Sequence, residues 1–347
     1  MTTPTTVDPD LVEMMSAVFV AYRDQKEPDA DTATWDPILW SHLTDLGLTR
    51  LTGPEESGGS GAGWLEAAEL IRAAAANGVR IPLAEHDLLA GWLLDTAGLP
   101  ADDARRTVCL LDHTGTAHRV PWAAQSDKIV TLWRDTHTYV VADIETNMLT
   151  ITPEANIAGE PRDTVTIDSA HSGTPIADAV VDQLLLRGAL IRAVQTSAAL
   201  DRILDLSITH TTERTQFGRP LAKFQAIQNL VADIAAEAAL TRAATEAALN
   251  EAVRTDWSAP NLDVLVAVAR SCAGHAASTV VRNAHQVHGA IGTTREHRLH
   301  EFTQPALAWR SEFGSLHHWD DMLTTASITA GRQNLWCLVT AESSGCQ

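Results

Sequence analysis

Arg214-Thr215-Gln216-Phe217-Gly218-Arg219-Pro220-Leu221 stands between two long stretches of helical periodicity. Gly218 and Pro220 break a helix and expose backbone there. Arg214 offers a planar guanidinium fork suited to a pyrophosphate. Gln216 lies within the same turn, Phe217 can pack beneath a ring, and Gln225 on the next helix turns an amide toward the same region. By itself the segment reads equally as a connecting loop with a surface arginine.

The flanks give it a setting. Upstream, Leu186, Leu190, Ile191, Val194 and Ala198 share one helical face; downstream, Phe224, Ile227, Val231, Ile234 and Ala238 do the same. A third helix after Pro260 repeats Leu262, Val266, Ala269, Ala273, Ala276, Val280, Ala284 and Val287, with small residues that permit close packing. It ends in Gln286-Val287-His288-Gly289-Ala290-Ile291-Gly292, a glycine-containing stop where backbone groups become available to a ligand. A shorter helix after Ser315 can complete a bundle, so residues 169–347 are expected to form a C-terminal helix bundle.

Residues 1–106 read as a helical region, with Leu11, Met14, Val18 and Tyr22 at helical spacing and alanine-rich runs at 62–77 and 85–97. The loop Gly53-Pro-Glu-Glu-Ser-Gly-Gly-Ser-Gly-Ala-Gly63 lacks the Lys-Ser/Thr ending of a phosphate loop and is read as a tight interhelical connection. Residues 107–168 change to short β-branched and aromatic runs at 129–133, 138–142, 148–152 and 164–167. That predicts a compact β-domain too small for long excursions over a ligand.

A net charge of −19 opposes a phosphate-tracking surface, so nucleic acid is excluded as a partner. Cys109, Cys272, Cys337 and Cys346 form no C-x-x-C pair, which fits reduced thiols in a cytoplasm. The first ten residues lack a basic and apolar leader, and no uninterrupted apolar run approaches membrane-spanning length; neither export nor a membrane is expected. His285 and His288 share a helix face, and His317-His318 are adjacent, yet no neighbouring carboxylate or cysteine completes a ligand set, so no metal is expected. The ten tryptophans are scattered along the sequence and read as structural.

Taken together, the arginine and glutamine–glycine segments, their separation by two helices, and the helical, β, helical order resemble the acyl-CoA dehydrogenase family. The loop at 53–63 resembles that family's Pro-Glu-x-x-Gly-Gly-x-Gly loop, and Ala158-Gly159-Glu160-Pro161-Arg162 is similar to a segment of its short actinobacterial members. The resemblance covers essentially the whole chain. It implies the acyl-CoA dehydrogenase fold, mainly α with a small β-domain, and FAD contacts from Arg214, Gln216, Phe217, Gln225, Gln286 and Gly289, with Ala290 in place of the family's second glycine.

Family chemistry needs a glutamate as base. The two positions that the resemblance assigns to it hold Phe313 and Gly188, neither of which can take a proton; Glu312, one residue away, is the remaining candidate. The family's flavin-covering β-domain segments have no counterpart between Thr107 and Asp168. The chain thus most resembles the short, non-catalytic subunit of the α2β2 enzymes of actinobacterial steroid side-chain catabolism. That implies a longer catalytic partner and an acyl-CoA substrate held by the complex. Two alternatives stay open: a self-sufficient homo-oligomer using Glu312, and a flavin-free helical scaffold.

Overall fold

The structure is a computed structural model that describes residues 7–26, 35–167 and 172–340. The expected boundary at Asp168 and Ser169, the first six residues and Cys346 lie outside the described residues, as does the side chain of Cys337. The other two cysteines, Cys109 and Cys272, are free thiols.

Two N-terminal helices, α1 (Pro9–Asp24) and α2 (Pro37–Asp45), start alike: an aspartate side chain accepts backbone N–H groups and a proline takes the first turn, where its missing N–H costs nothing. The glycine loop folds back on itself, Gly61 N–H donating to Gly53 O and Ala62 N–H to Leu51 O, before α3 (Trp64–Ala76). The alanine-rich run that follows is not a plain α-helix. Ala84–Gly91 is wound as a π-helix and continues into α4 (Trp92–Ala97). Glu85, His86 and Asp87 are all buried in this wide turn, a departure that apolar periodicity could not signal.

Seven strands follow: β1 (Arg106–Leu110), β2 (Thr116–Pro121), β3 (Lys128–Asp135), β4 (Thr138–Glu145), β5 (Thr150–Thr152), β6 (Arg162–Thr166) and β7 (Thr174–Ile176). They form a four-stranded sheet in the order β1-β3-β4-β7 and a three-stranded sheet in the order β2-β6-β5. β1, β2 and β7 were not expected from composition, and β7 lies past the expected boundary. Alternation along β1 and β3 explains the layering. Val108, Val130 and Leu132 join the large core shared with the helices, whereas Cys109 and Ile129 turn to a small core between the sheets with Ala117, Val120 and Val165.

The bundle consists of α5 (Asp178–Glu213), α6 (Gln225–Arg254), α7 (Leu262–His288) and α9 (Leu316–Thr340), with α8 (His300–Trp309), which follows α7 in sequence, packed on α5 and α7. α9 is longer than expected and is interrupted at Gly331. All eight residues of the periodic face on α7 are buried. By length and composition α7 could cross a membrane, but over half of its apolar window is buried among its neighbours. The face expected on α6 behaves differently. Ile234 and Ala238 are buried, whereas Phe224, Ile227 and Val231 are only half-buried, and Leu240 is 55% exposed.

Candidate functional site

Arg214 leaves α5 at its C-terminal end, and the chain turns at once into a two-residue hairpin, β8 (Thr215–Gln216) paired with β9 (Arg219–Pro220). Phe217 and Gly218 are the two loop residues, with φ of 51° and 78°. A turn with positive φ at both central positions matches the twist of a tight hairpin, which is why glycine is needed there. The same turn throws the Phe217 ring outward. It is 89% exposed, meets the edge of Phe224 at 6.1 Å and is absent from the cavity beside Arg214, contrary to expectation. Gln225 also stays outside that cavity, because its side-chain amide donates to Asn229 Oδ1 one turn along α6.

Four of the six expected cofactor residues do converge. Arg214, Gln216, Gln286 and Gly289 line one cavity of 460 Å³ between the α5 end, the hairpin and the α7 end. That volume is in the range of ligand sites. The Arg214 guanidinium makes no ion pair among the described residues, so its donors are available to an anion. Gly289 ends α7 at φ 64° and ψ −143°, a conformation open to glycine, and exposes the helix terminus. Ala290 has an ordinary φ, so its Cβ is tolerated where the family pattern has glycine. The arginine fork suits the phosphates of a dinucleotide such as FAD, and the two amides and the carbonyls bared at the α7 C-terminus suit its polar edges.

The positions assigned to the base are in contact with each other. Gly188 faces Phe313 so closely that a methyl group on residue 188 would overlap the ring. Arg192, one turn along α5, stacks its guanidinium 5.6 Å from the centre of the same ring. Beyond it lies a closed ion-pair network. Arg192 donates to Glu85 at 2.7 Å and to Glu312 at 2.7 Å; Arg162 donates to Glu312 at 2.7 Å and to Glu160 at 2.9 Å; Trp309 Nε1–H donates to Glu160 at 3.0 Å. The space left among Glu85, Trp122, Glu160, Arg162, Arg192 and Trp309 is about 20 Å³, room for a single water.

Glu312 is therefore neither a solvated carboxylate nor a poised base. Burial pushes its carboxyl up, but Arg162 and Arg192 overcome that and hold it well below the usual carboxylate range. A base needs the opposite tuning, toward neutral pH. Arg187, beside Gly188, is enclosed by Trp64, Trp92 and Trp257, with 4.0 Å to the Trp92 ring centre, and burial lowers its pKa to about 9. These tryptophans are dispersed in sequence and gathered in space.

The histidines also differ from expectation. His285 and His288 are not left with one another alone: the structure brings His210 from α5 and His297 from the loop before α8 to His288. The His210 and His288 rings stack at 4.5 Å, and burial lowers the pKa of His288 to about 4. Nothing in the spacing of residues 210, 288 and 297 signals this meeting.

The model of the acyl-CoA dehydrogenase C-terminal domain matches residues 179–316, from α5 to the turn that carries Phe313. Residues 179–316 thus carry the C-terminal domain of the acyl-CoA dehydrogenase family. Members of this family are FAD-dependent oxidoreductases. Acyl-CoA dehydrogenase IpdE2 of Mycolicibacterium smegmatis is 28% identical over 278 residues, 76% of this chain and 80% of that protein. Among solved structures, the ChsE4–ChsE5 complex from Mycobacterium tuberculosis contains a chain of the same fold with a TM-score of 0.84 and 20% identity, covering 94% of this chain and 99% of that one. A variant of the Tcur3481–Tcur3483 steroid ACAD aligns with a TM-score of 0.75 and 19% identity over 93% of this chain and 98% of that one. The acyl-CoA dehydrogenase fold inferred from motif order is thus the fold of the chain.

Proposed function

We propose that this chain is the non-catalytic subunit of a heteromeric acyl-CoA dehydrogenase, giving Arg214, Gln216, Gln286 and Gly289 to an FAD shared with a longer catalytic subunit. The observation that carries this reading is the Gly188–Phe313 contact, together with the ion-pair network beside it: where the family pattern calls for a carboxylate base, a ring fills the space. Bound flavin supplies the hydride acceptor. Arg214 would neutralise pyrophosphate charge, and Gln216 and Gln286 would fix its orientation. The half-buried face of α6, with Leu240 exposed, favours a partner that covers it.

An acyl-CoA is the substrate class of the complex, and a bulky polycyclic acyl group is the sub-class favoured by the similarity to a chain from the Tcur3481–Tcur3483 steroid ACAD. Two-subunit relatives such as ChsE4–ChsE5 support the heteromer. The self-sufficient alternative is disfavoured by Glu312, which is committed to two arginines.

Co-expression with a longer acyl-CoA dehydrogenase chain, followed by measurement of complex mass, flavin absorbance and acyl-CoA oxidation, tests this reading. The expected result is a flavin-bearing, active complex and an inactive isolated chain. In the complex, Arg214→Ala should weaken FAD retention by about 1.5–3 kcal/mol, the value of a charge-assisted hydrogen bond, whereas Glu312→Gln should leave the catalytic mechanism intact. Stoichiometric flavin and turnover in the isolated chain would overturn it, and unchanged flavin retention in Arg214→Ala would favour the scaffold.

A further inference from the structure

His210, His288 and His297 come from three separate elements and each presents a ring nitrogen within 4.8 Å of the other two. Three neutral imidazoles are a sufficient protein ligand set for a tetrahedral divalent ion that keeps one open position. His288 is prepared for this in a specific way. Its Nδ1 is 2.8 Å from Ala284 O, so Nδ1 carries the proton and donates it, leaving Nε2 with a free lone pair. That Nε2 is buried and has no hydrogen-bond partner among the described residues. A backbone carbonyl holding the far nitrogen is the usual support of a ligating histidine, because it fixes the tautomer and aims the ring. An unpartnered buried acceptor otherwise carries a desolvation cost with nothing to offset it.

We propose that His210, His288 and His297 form a binding site for a divalent transition-metal ion of the zinc class. The site shares a wall with the cavity assigned to FAD but uses none of the four residues assigned to that cofactor. His210 and His288 also line the cavity that holds Arg214, so a water or anion in that cavity could complete the coordination. A zinc-class ion requires its nitrogens about 3.4 Å apart, given bonds of about 2.0–2.1 Å, so the rings close in on binding. His297 Nδ1 accepts the Leu299 N–H at 3.1 Å, and that bond is released whichever nitrogen of the ring coordinates. No electron or proton transfer is involved beyond occupation of the lone pairs.

The test uses the full chain without any histidine tag, stripped with a chelator and dialysed against Co²⁺, whose visible absorbance reports a tetrahedral nitrogen site. One ion per chain with that absorbance is expected. His210→Asn and His297→Asn, whose rings are only half-buried, should each weaken binding at least tenfold while circular dichroism stays unchanged, and His275→Ala, remote from the cluster, should bind as the parent does. Failure of the parent chain to bind, absorbance of an octahedral hydrated type, or equal binding by His210→Asn and His297→Asn overturns the proposal. Because no flavin or partner chain is present, its failure is independent of that of the cofactor reading.

Discussion

Replacing Gly188 with alanine sets a methyl group against the Phe313 ring in the middle of α5, where the backbone cannot move away. Overpacking of this kind costs about 1–3 kcal/mol. Cutting the ring back in Gly188→Ala/Phe313→Ala should recover much of it, so urea denaturation of the two single variants and the double variant should show strong non-additivity; simple additivity would mean that the two positions do not share one space. Glu312 makes a second residue-level case. Glu312→Gln leaves Arg162 and Arg192 without their shared carboxylate, which should cost roughly 3–5 kcal/mol at neutral pH. The sign with pH follows from its depressed pKa. The contribution is present in full above the ordinary carboxyl value of 4.5 and is lost as pH falls below it toward the folded value of about 2. Denaturation midpoints of parent and variant should therefore converge in acid, and a gap that stays constant from pH 7 to pH 3 would contradict the assignment.

Among the elements, α6 separates folding from association. Its C-terminal turns bury Thr245, Ala248, Leu249 and Ala252 within the chain, whereas its N-terminal turns leave Ile227, Leu230 and Val231 half-buried, and Leu240, just past the midpoint, is exposed. A charge on the uncovered part should spare the fold. Leu240→Asp is expected to change the stability of the isolated chain by less than about 0.5 kcal/mol, as for an exposed site, while weakening assembly with the catalytic partner at least tenfold. Size-exclusion chromatography with light scattering on the co-expressed pair would detect this, and an undisturbed complex would place the partner on another face. The hairpin between α5 and α6 shows the same division: its pairing is local, but the Phe217 ring that it projects meets little of its own chain.

At the scale of the whole molecule, the buried ions act as a joint between regions distant in sequence. Glu85 comes from the π-helix, Glu160 from the turn before β6, Arg162 from the start of β6, Arg192 from α5 and Glu312 from the turn before α9. Shared charges of this kind make the regions unfold together, because releasing one strands the others. Arg192→Met should break that coupling. Hydrogen exchange would then show the strand amides of β2 and β6 opening more readily than those of α7, whereas equal loss of protection everywhere would mean that the apolar core alone couples them.

Periodicity alone placed the eight core residues of α7, and the family resemblance pointed to Phe313 by its distance after the glutamine–glycine motif and to Gly188 upstream of the arginine motif, because helices are set by local chemistry and keep motif spacing along the chain. The glycine at 218 likewise announced its turn. What only the tertiary structure decided lies between elements. It showed that Phe313 fills the space against Gly188, that Glu312 is held by two arginines from other regions, that Phe217 points away from Arg214, and that His210 and His297 meet His288. Long-range pairings carry no sequence period, since each depends on how whole helices and sheets pack against one another rather than on the residues beside it.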